Sequence, residues 1–453
     1  MADFNHLSAE FMQWFNSIPG ASMHPSVTFK DLRCQDAGRG LVATAEIPAE
    51  TTLFTIPRKA ILSAATSEVV QKLPQLFTAS DEDDAMDTED SEDAGPNPWS
   101  SLILVMIYEY LRGEASPWHK YFAVLPTEFD TPMFWSADEL RELQASALTG
   151  RIGKEEAEAM FAHKIVPALK EHKHVFYPAG TRVLSDEEVV QLAHRMGSTI
   201  MAYAFDLEGE AEDEDENMED GWVEDREDQA MLGMVPMADM MNADAEFNAH
   251  VNHGEDALTV LSLRPIVAGE EILNYYGPHP NSELLRKYGY VSERHSRYDV
   301  VEISFEMVCK HVQAQLGLTD QFMEKADNFL DHDEVEETIV IDRNSGDPGP
   351  DGLFQGPPTL DNSLDELAAQ VNLVLKALRK VSSSVVPDKR KREEICLAVM
   401  QRLVRAKLAE YATTLEQDMT LLAGGGLAKR ARMAAMVRAG EKKLLTEILA
   451  GLQ

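Results

Sequence analysis

Apolar side chains at Phe4, Leu7, Phe11, Trp14, Phe15 and Ile18 recur at helical spacing, and Pro19-Gly20 closes the run. This predicts a packing helix over 4–18. From Val27 to Leu62 the pattern becomes short β-branched runs broken by Gly38, Gly40 and Pro48, which predicts three or four short strands. Asn97-Pro98 opens an apolar helix running to about Arg112, where Gly113 ends it. Ser185 followed by Glu188 is a capping-box pair ahead of a helix through Ala204. Over 231–291 short apolar segments return. LTVLSL and EEILNYY, separated by Pro265 and Ala268-Gly269, read as strand, turn and strand. Beyond Val291 the chain reads as mainly helical. Ser363 and Glu366 repeat the capping-box pair before LAAQVNLVLKAL, a long helix is predicted from about Asp388 to Leu422, and Gly424 to Gly426 separate it from a last helix.

These elements define an α+β chain whose 453 residues exceed one ordinary core. Residues 1–291 are expected to form short strands in small sheets with a helical insertion at about 98–230. Residues 292–453 are expected to form a helical C-terminal unit, with an internal linker rich in Gly, Pro and Asp at about 342–362.

Charge adds a feature the periodicity does not show. The net charge is −37, and two runs supply 21 of those charges: residues 81–93 carry nine acidic side chains and no basic one, and 208–228 carry thirteen with one arginine. Such runs bury too little apolar surface to offset chain entropy, so disordered acidic loops are expected at about 79–96 and 208–230. A docking tract for basic proteins is the second reading. Sequence-independent nucleic-acid binding is disfavoured, because it needs clustered positive charge. No run of eighteen apolar residues occurs and the N-terminus lacks secretory-signal character, so a soluble intracellular protein without membrane partners is expected. Cys34, Cys309 and Cys396 lie far apart, which speaks against a disulfide framework and a zinc site. No metal is expected.

Three segments concentrate candidate chemistry: AGRGLVATAEIPAETTLFTIPR at 37–58, MVPMADMMNADAEFNAH at 234–250 and VAGEEILNYYGPHPNSELLRKYGYV at 267–291. Each alone has a plain reading. The GRG triplet is a tight turn, Asn242 a turn residue and the NYYG tyrosines half-buried strand residues. In this order and wording, however, they resemble the SET-domain methyltransferases of the Rubisco large-subunit methyltransferase branch. Within that branch they are similar to the group of SET domain-containing protein six and ribosomal lysine methyltransferase four. TPMFWSADELRELQ at 131–144, MAYAF at 201–205 and YATTLEQDMTLL at 411–422 extend the resemblance over nearly the whole chain.

The resemblance implies a SET domain followed by a helical substrate-binding domain, S-adenosylmethionine as methyl donor, and a protein lysine as acceptor. It implies that backbone around Ala37, Gly38 and Arg39 cradles the donor's methionine portion, that Asn242 and the backbone of Ala243 hold another part of the donor, and that Tyr203 borders donor and substrate. Asp239, His250, Tyr276 and Tyr288 would line the lysine channel. Tyr276, beside Gly277, matches the catalytic tyrosine and also borders the donor. For His250 a structural role is the plainer reading.

The family commonly reads Asn-His where this chain has Asn242-Ala243, so one side chain is missing. Tyr275 next to Tyr276 makes the catalytic assignment depend on register. A non-catalytic SET-like module for basic proteins is the alternative function. An acidic chaperone, or a metal hydrolase without HExxH, fits the patterned globular chain less well. The expected substrate is a ribosomal or nuclear regulatory protein, the expected state a monomer, and the expected location the nucleus, the cytoplasm or both. Lys389-Arg390-Lys391-Arg392 is either a solvated helix start or a nuclear-import signal.

Overall fold

The computed structural model describes residues 4–35, 37–77, 97–207 and 231–452. The two acidic runs expected as insertions lie outside the described residues. The chain forms two compact units. The first comprises residues up to Phe129, Gly153–Tyr276 and Pro350–Leu353, and the second comprises Asp130–Ile152, Gly277–Gly349 and Phe354 onward.

In the first unit helix α1 (Phe4–Ser17) buries Phe11 and Phe15, the rings placed inward by its periodicity. Helix α2 (Pro98–Leu111) starts where the Asn97 side chain accepts from the N–H groups of Trp99 and Ser100. Its run Leu102–Tyr108 is wholly buried, which suits a helix with no polar face. Helix α3 (Asp186–Tyr203) carries the reciprocal Ser185–Glu188 capping box and packs on α2.

Eleven short strands complete the described part of this unit: β1 (Ser22–Met23), β2 (Val27–Asp31), β3 (Arg39–Ala43), β4 (Thr52–Pro57), β5 (Leu62–Ser63), β6 (Ala204–Asp206), β7 (Leu232–Met234), β8 (Asn242–Ala243), β9 (Ala249–His253), β10 (Ala257–Ser262) and β11 (Leu273–Asn274). They form a four-stranded sheet in the order β1-β4-β10-β9, a three-stranded sheet β5-β7-β6, the pair β2-β3 and the pair β8-β11. The apolar faces and the helices share one core that includes Leu41, Leu53, Phe54, Ile56, Leu258 and Val260.

One expectation is corrected here. LTVLSL and EEILNYY are both strand-forming, but they do not pair through a turn: β10 joins β4 and β9, whereas β11 pairs in parallel with β8. The intervening segment is held along β3 instead. Ile266 bridges Ile47, the Ala43 N–H donates to the Glu270 carbonyl at 2.9 Å, and the Ile272 N–H donates to the Leu41 carbonyl at 2.8 Å. Those bonds satisfy the strand edge before β11 begins.

The second unit holds helices α4 (Asn281–Tyr288), α5 (Phe305–Leu316), α6 (Asp320–Asp327), α7 (Asp365–Val381), α8 (Lys389–Glu410), α9 (Leu415–Gly424) and α10 (Lys429–Gly451), with the antiparallel pair β12 (Val301–Ser304) and β13 (Thr338–Ile341). It begins at Gly277, ahead of the boundary expected near 292, and takes in 130–152 because Trp135, Leu143 and Leu148 share a cluster with Leu285, Met433 and Val437. Within the expected linker, Pro350–Leu353 belongs to the first unit.

Two helix expectations are corrected. The Ser363–Glu366 capping box does not form: Asn362 turns the chain at φ 65°, Leu364 takes the cap position, and the Ser363 hydroxyl is buried without a hydrogen-bond partner. The long helix from Asp388 breaks after Glu410. Tyr411 turns inward to donate to Glu441 at 2.8 Å, and Thr414 restarts a helix through a reciprocal capping box with Gln417.

Candidate active site

The parallel pair β8-β11 sets the site. Residues 242–243 and 273–274 are joined in register, Asn242 opposite Leu273 and Ala243 opposite Asn274, and the Asp244 N–H donates to the Asn274 carbonyl at 3.2 Å. Asn248 fixes the same crossing. Its side-chain amide donates to the Glu271 carbonyl at 2.8 Å, and its Oδ1 accepts from the Leu273 N–H at 2.8 Å.

The glycine-bearing turn between β2 and β3 reaches this crossing. Gly38 has φ 68°, its carbonyl accepts from the Leu32 N–H at 2.8 Å, and a Cβ placed on it would meet no atom within 4 Å. A Cβ on Gly40 would lie 2.5 Å from Leu32 Cδ1, 2.7 Å from Glu271 Oε1 and 3.0 Å from Asn242 Nδ2. Glycine at 40 is therefore required by close packing of three segments. The Asn242 amide donates to the Glu271 carboxylate at 2.7 Å and to the Ala37 carbonyl at 3.3 Å. Burial raises the Glu271 carboxyl above its ordinary range, and the bond from Asn242 opposes that rise. The Arg39 side chain turns away to α1, donating to the Ser8 hydroxyl with its guanidinium over the Phe4 ring, and burial lowers its pKa to about 10. Only its backbone faces the turn's own pairing with β2.

Tyr276 and Tyr275 have different surroundings. The Tyr276 hydroxyl donates to the Met241 carbonyl at 3.0 Å, one residue before Asn242. Tyr275 stacks on Phe247, with centroids 4.8 Å apart and planes at 16°. Asp239 lies in the tight turn Ala238–Met240, which follows Met237 at φ 84°, a rare conformation for a non-glycine residue. Its carboxyl is buried, accepts from the Tyr121 hydroxyl through Oδ2, and leaves Oδ1 without a hydrogen-bond partner. Burial pushes the Asp239 pKa up to about 8, with the Tyr121 bond opposing the shift. The Tyr203 hydroxyl is pushed up to about 12 by burial and then by the Asp239 charge, and burial raises Tyr121 well above its ordinary value. A neutral acid beside two protonated phenols is the resulting state at neutral pH.

The first unit thus brings together Ala37, Gly38, Asn242, Ala243 and Tyr276, and separately joins Asp239 to the neighbourhood of Tyr203. His250 is exposed on β9, opposite Leu261. Tyr288 ends α4 in the second unit, its ring 6.2 Å from His279. Sequence reading missed Glu271 and Tyr121. Glu271 lies within 267–291, where its acidic neighbour Glu270 hid it, and Tyr121 carries no local signal. An open groove of about 550 Å³ lined by Phe329, Asp331, Lys376 and Arg392 lies in the second unit and shares no residue with this set.

A SET-domain family model matches residues 38–277, and a model described as Rubisco LSMT substrate-binding matches residues 366–445. Ribosomal lysine N-methyltransferase 4 of Saccharomyces cerevisiae is 33% identical over 336 residues, a match spanning 73% of this chain and 64% of that protein. N-lysine methyltransferase SETD6 of Mus musculus is 26% identical over 471 residues, spanning 97% and 89% respectively. The solved structure of Rubisco LSMT bound to AdoMet has the same fold, with TM-score 0.60 and 21% identity over 98% of this chain and 91% of that one. The chain belongs to the SET-domain family, and its residues 366–445 match the Rubisco LSMT substrate-binding model.

Proposed function

We propose that this chain transfers a methyl group from S-adenosylmethionine to a lysine ε-amine of a ribosomal or nuclear protein. The observation that carries this reading is the meeting of three distant segments, in which Asn242 bonds both Ala37 and Glu271 while the Tyr276 hydroxyl rests on the Met241 carbonyl. The residues fit such a donor: the bare Gly38 turn leaves open space for close approach, and Asn242 and the Ala243 backbone stand beside it.

Bound S-adenosylmethionine supplies an electrophilic methyl on a positively charged sulfur. The chain's residues must then present a neutral amine. A free lysine with pKa about 10.4 is neutral in roughly one molecule in a few thousand at pH 7, and burial among aromatic side chains shifts that balance toward the amine. Tyr276 orients the nitrogen through its hydroxyl, a positioning role without a covalent intermediate. Tyr203 borders the same space, and the unpartnered Oδ1 of Asp239 offers a polar contact to the substrate. The name of the yeast relative favours a ribosomal substrate. Incubating the chain with labelled donor and a proteome lacking this activity, then identifying the labelled lysine by mass spectrometry, tests the reading. Label on protein lysine supports it, and no label above background contradicts it.

A further inference from the structure

Pro350–Leu353 is a short piece of the second half of the chain that folds with the first unit, while the residues on both sides of it, up to Gly349 and from Phe354, belong to the second. Gly352 is its contact point. The Gly352 carbonyl accepts from the Phe247 N–H at 3.1 Å, and Gly352 itself sits at φ 76°. A Cβ on Gly352 would lie 2.2 Å from the Phe247 carbonyl oxygen and 2.9 Å from its carbonyl carbon. Both atoms are backbone and cannot swing aside, so the conformation and the space each demand glycine. Asp351 shapes the turn by accepting from the Leu353 N–H at 3.1 Å.

Phe247 transmits this contact. Its buried ring stacks on Tyr275 at 4.8 Å, and the next residue, Asn248, ties down 271–273 through its side chain and backbone. Residues 271–275 are therefore gripped from Phe247-Asn248, and Tyr276 follows directly. Loss of the stack removes one contact that sets the direction of Tyr275, and with it one constraint on the distance of the Tyr276 hydroxyl from the Met241 carbonyl.

We infer that Pro350–Leu353 is a strap that fixes Tyr276 through Phe247 and Tyr275, making Gly352 and Phe247 positioning residues for methyl transfer. This rests on the assignment of Tyr276 above. Because a misplacement of about 1 Å can cost roughly a hundredfold in rate, loosening the strap reduces turnover while donor affinity stays near that of the natural chain.

The test compares Gly352→Ala, Phe247→Leu and Phe247→Tyr with Gly356→Ala, a control in the same stretch where a Cβ meets nothing within 4 Å. Hydrogen exchange of a peptide covering 272–277 reads the positioning without any need for activity, with β4 and β10 peptides as internal reference. Exchange at 272–277 should accelerate in Gly352→Ala and Phe247→Leu and remain natural in Phe247→Tyr and Gly356→Ala. Transfer of tritiated methyl from S-adenosylmethionine to a salt-washed ribosomal protein extract should fall at least about tenfold in the first pair, with donor affinity by calorimetry within about threefold. Unchanged exchange at 272–277 in both disruptive variants overturns the strap. Accelerated exchange with turnover at the natural level overturns the positioning role. Absence of transfer by the natural chain, with the exchange pattern as expected, contradicts the methyltransferase reading and leaves the strap supported.

Discussion

The side-chain amide of Asn242 donates to the Glu271 carboxylate at 2.7 Å, directly beside the β3 backbone at Gly40. This bond ties β8 to the segment just before β11, and the same amide reaches the Gly38 turn through the Ala37 carbonyl. Replacing Asn242 by alanine leaves a half-buried carboxyl without its donor, at a cost of about 1–3 kcal/mol. Asn242→Ala is expected to lower the melting temperature and weaken donor binding at least about tenfold, whereas Glu271→Gln retains a hydrogen-bonded pair and most of the affinity. Calorimetry on both variants checks this.

Asp239 predicts the direction of a pH effect. Its folded pKa of about 8 lies above its ordinary value of 3.8, so the folded state holds the proton more tightly than the unfolded state does. Its contribution to stability is therefore fully present below pH 3.8 and is lost as pH rises toward 8. Asp299, at about 7, and Glu441, at about 8, contribute with the same sign in the second unit. Asp239→Asn should flatten the fall in melting temperature between pH 5 and pH 8. A variant with the natural slope would show that this carboxyl does not titrate in that window.

The second unit carries a buried ionic cluster. Asp418 accepts from Arg438 at 3.0 Å and from Lys442, all three side chains being almost wholly inaccessible. Arg438 also donates to the Glu142 carbonyl, and Lys442 to the Thr413 carbonyl at 2.9 Å, so the cluster joins 142, 413 and α10. Removing Asp418 leaves Lys442 without its carboxylate partner and Arg438 with Glu142 alone, at 3.1 Å. Asp418→Ala should destabilise the unit by about 3–5 kcal/mol, measurable by denaturant unfolding.

Much of this arrangement was legible in the sequence because it is written locally. The α1 periodicity, the Asn97 cap and the Ser185–Glu188 box each act within a few residues, and each forms as expected. What escaped is written across distance. Tyr121 and Asp239 are 118 positions apart, and nothing near either announces the other. The β12-β13 pair joins Val301–Ser304 to Thr338–Ile341 across two helices. Ser363 misled for the opposite reason: its local signal is sound, but Asn362 turns the chain first and spends the hydroxyl inside. The break at Tyr411 reflects a tertiary bond to Glu441 that overrides continuous helix propensity.

Ala243 departs from the Asn-His wording common in the family, and it lies opposite Asn274 in the β8-β11 pair. Its register with Asn274 uses main-chain groups that any non-proline residue supplies. Ala243→His should therefore change donor affinity by less than about tenfold, since a ring adds at most packing and one hydrogen bond of about 1 kcal/mol. Donor binding absent in the natural chain and restored by this single change would support a non-catalytic module instead.

Tyr276, proposed to orient the lysine, bonds the Met241 carbonyl, whereas Tyr275 packs against Phe247. The most direct measurement is methyl transfer from labelled S-adenosylmethionine by Tyr276→Phe and Tyr275→Phe, with donor affinity determined in parallel. Tyr276→Phe is expected to lose most transfer with donor affinity within a few-fold, because a hydroxyl that positions the amine is removed. Tyr275→Phe, which keeps its ring and its stack, retains transfer. Full turnover by Tyr276→Phe together with loss in Tyr275→Phe would contradict that role of Tyr276.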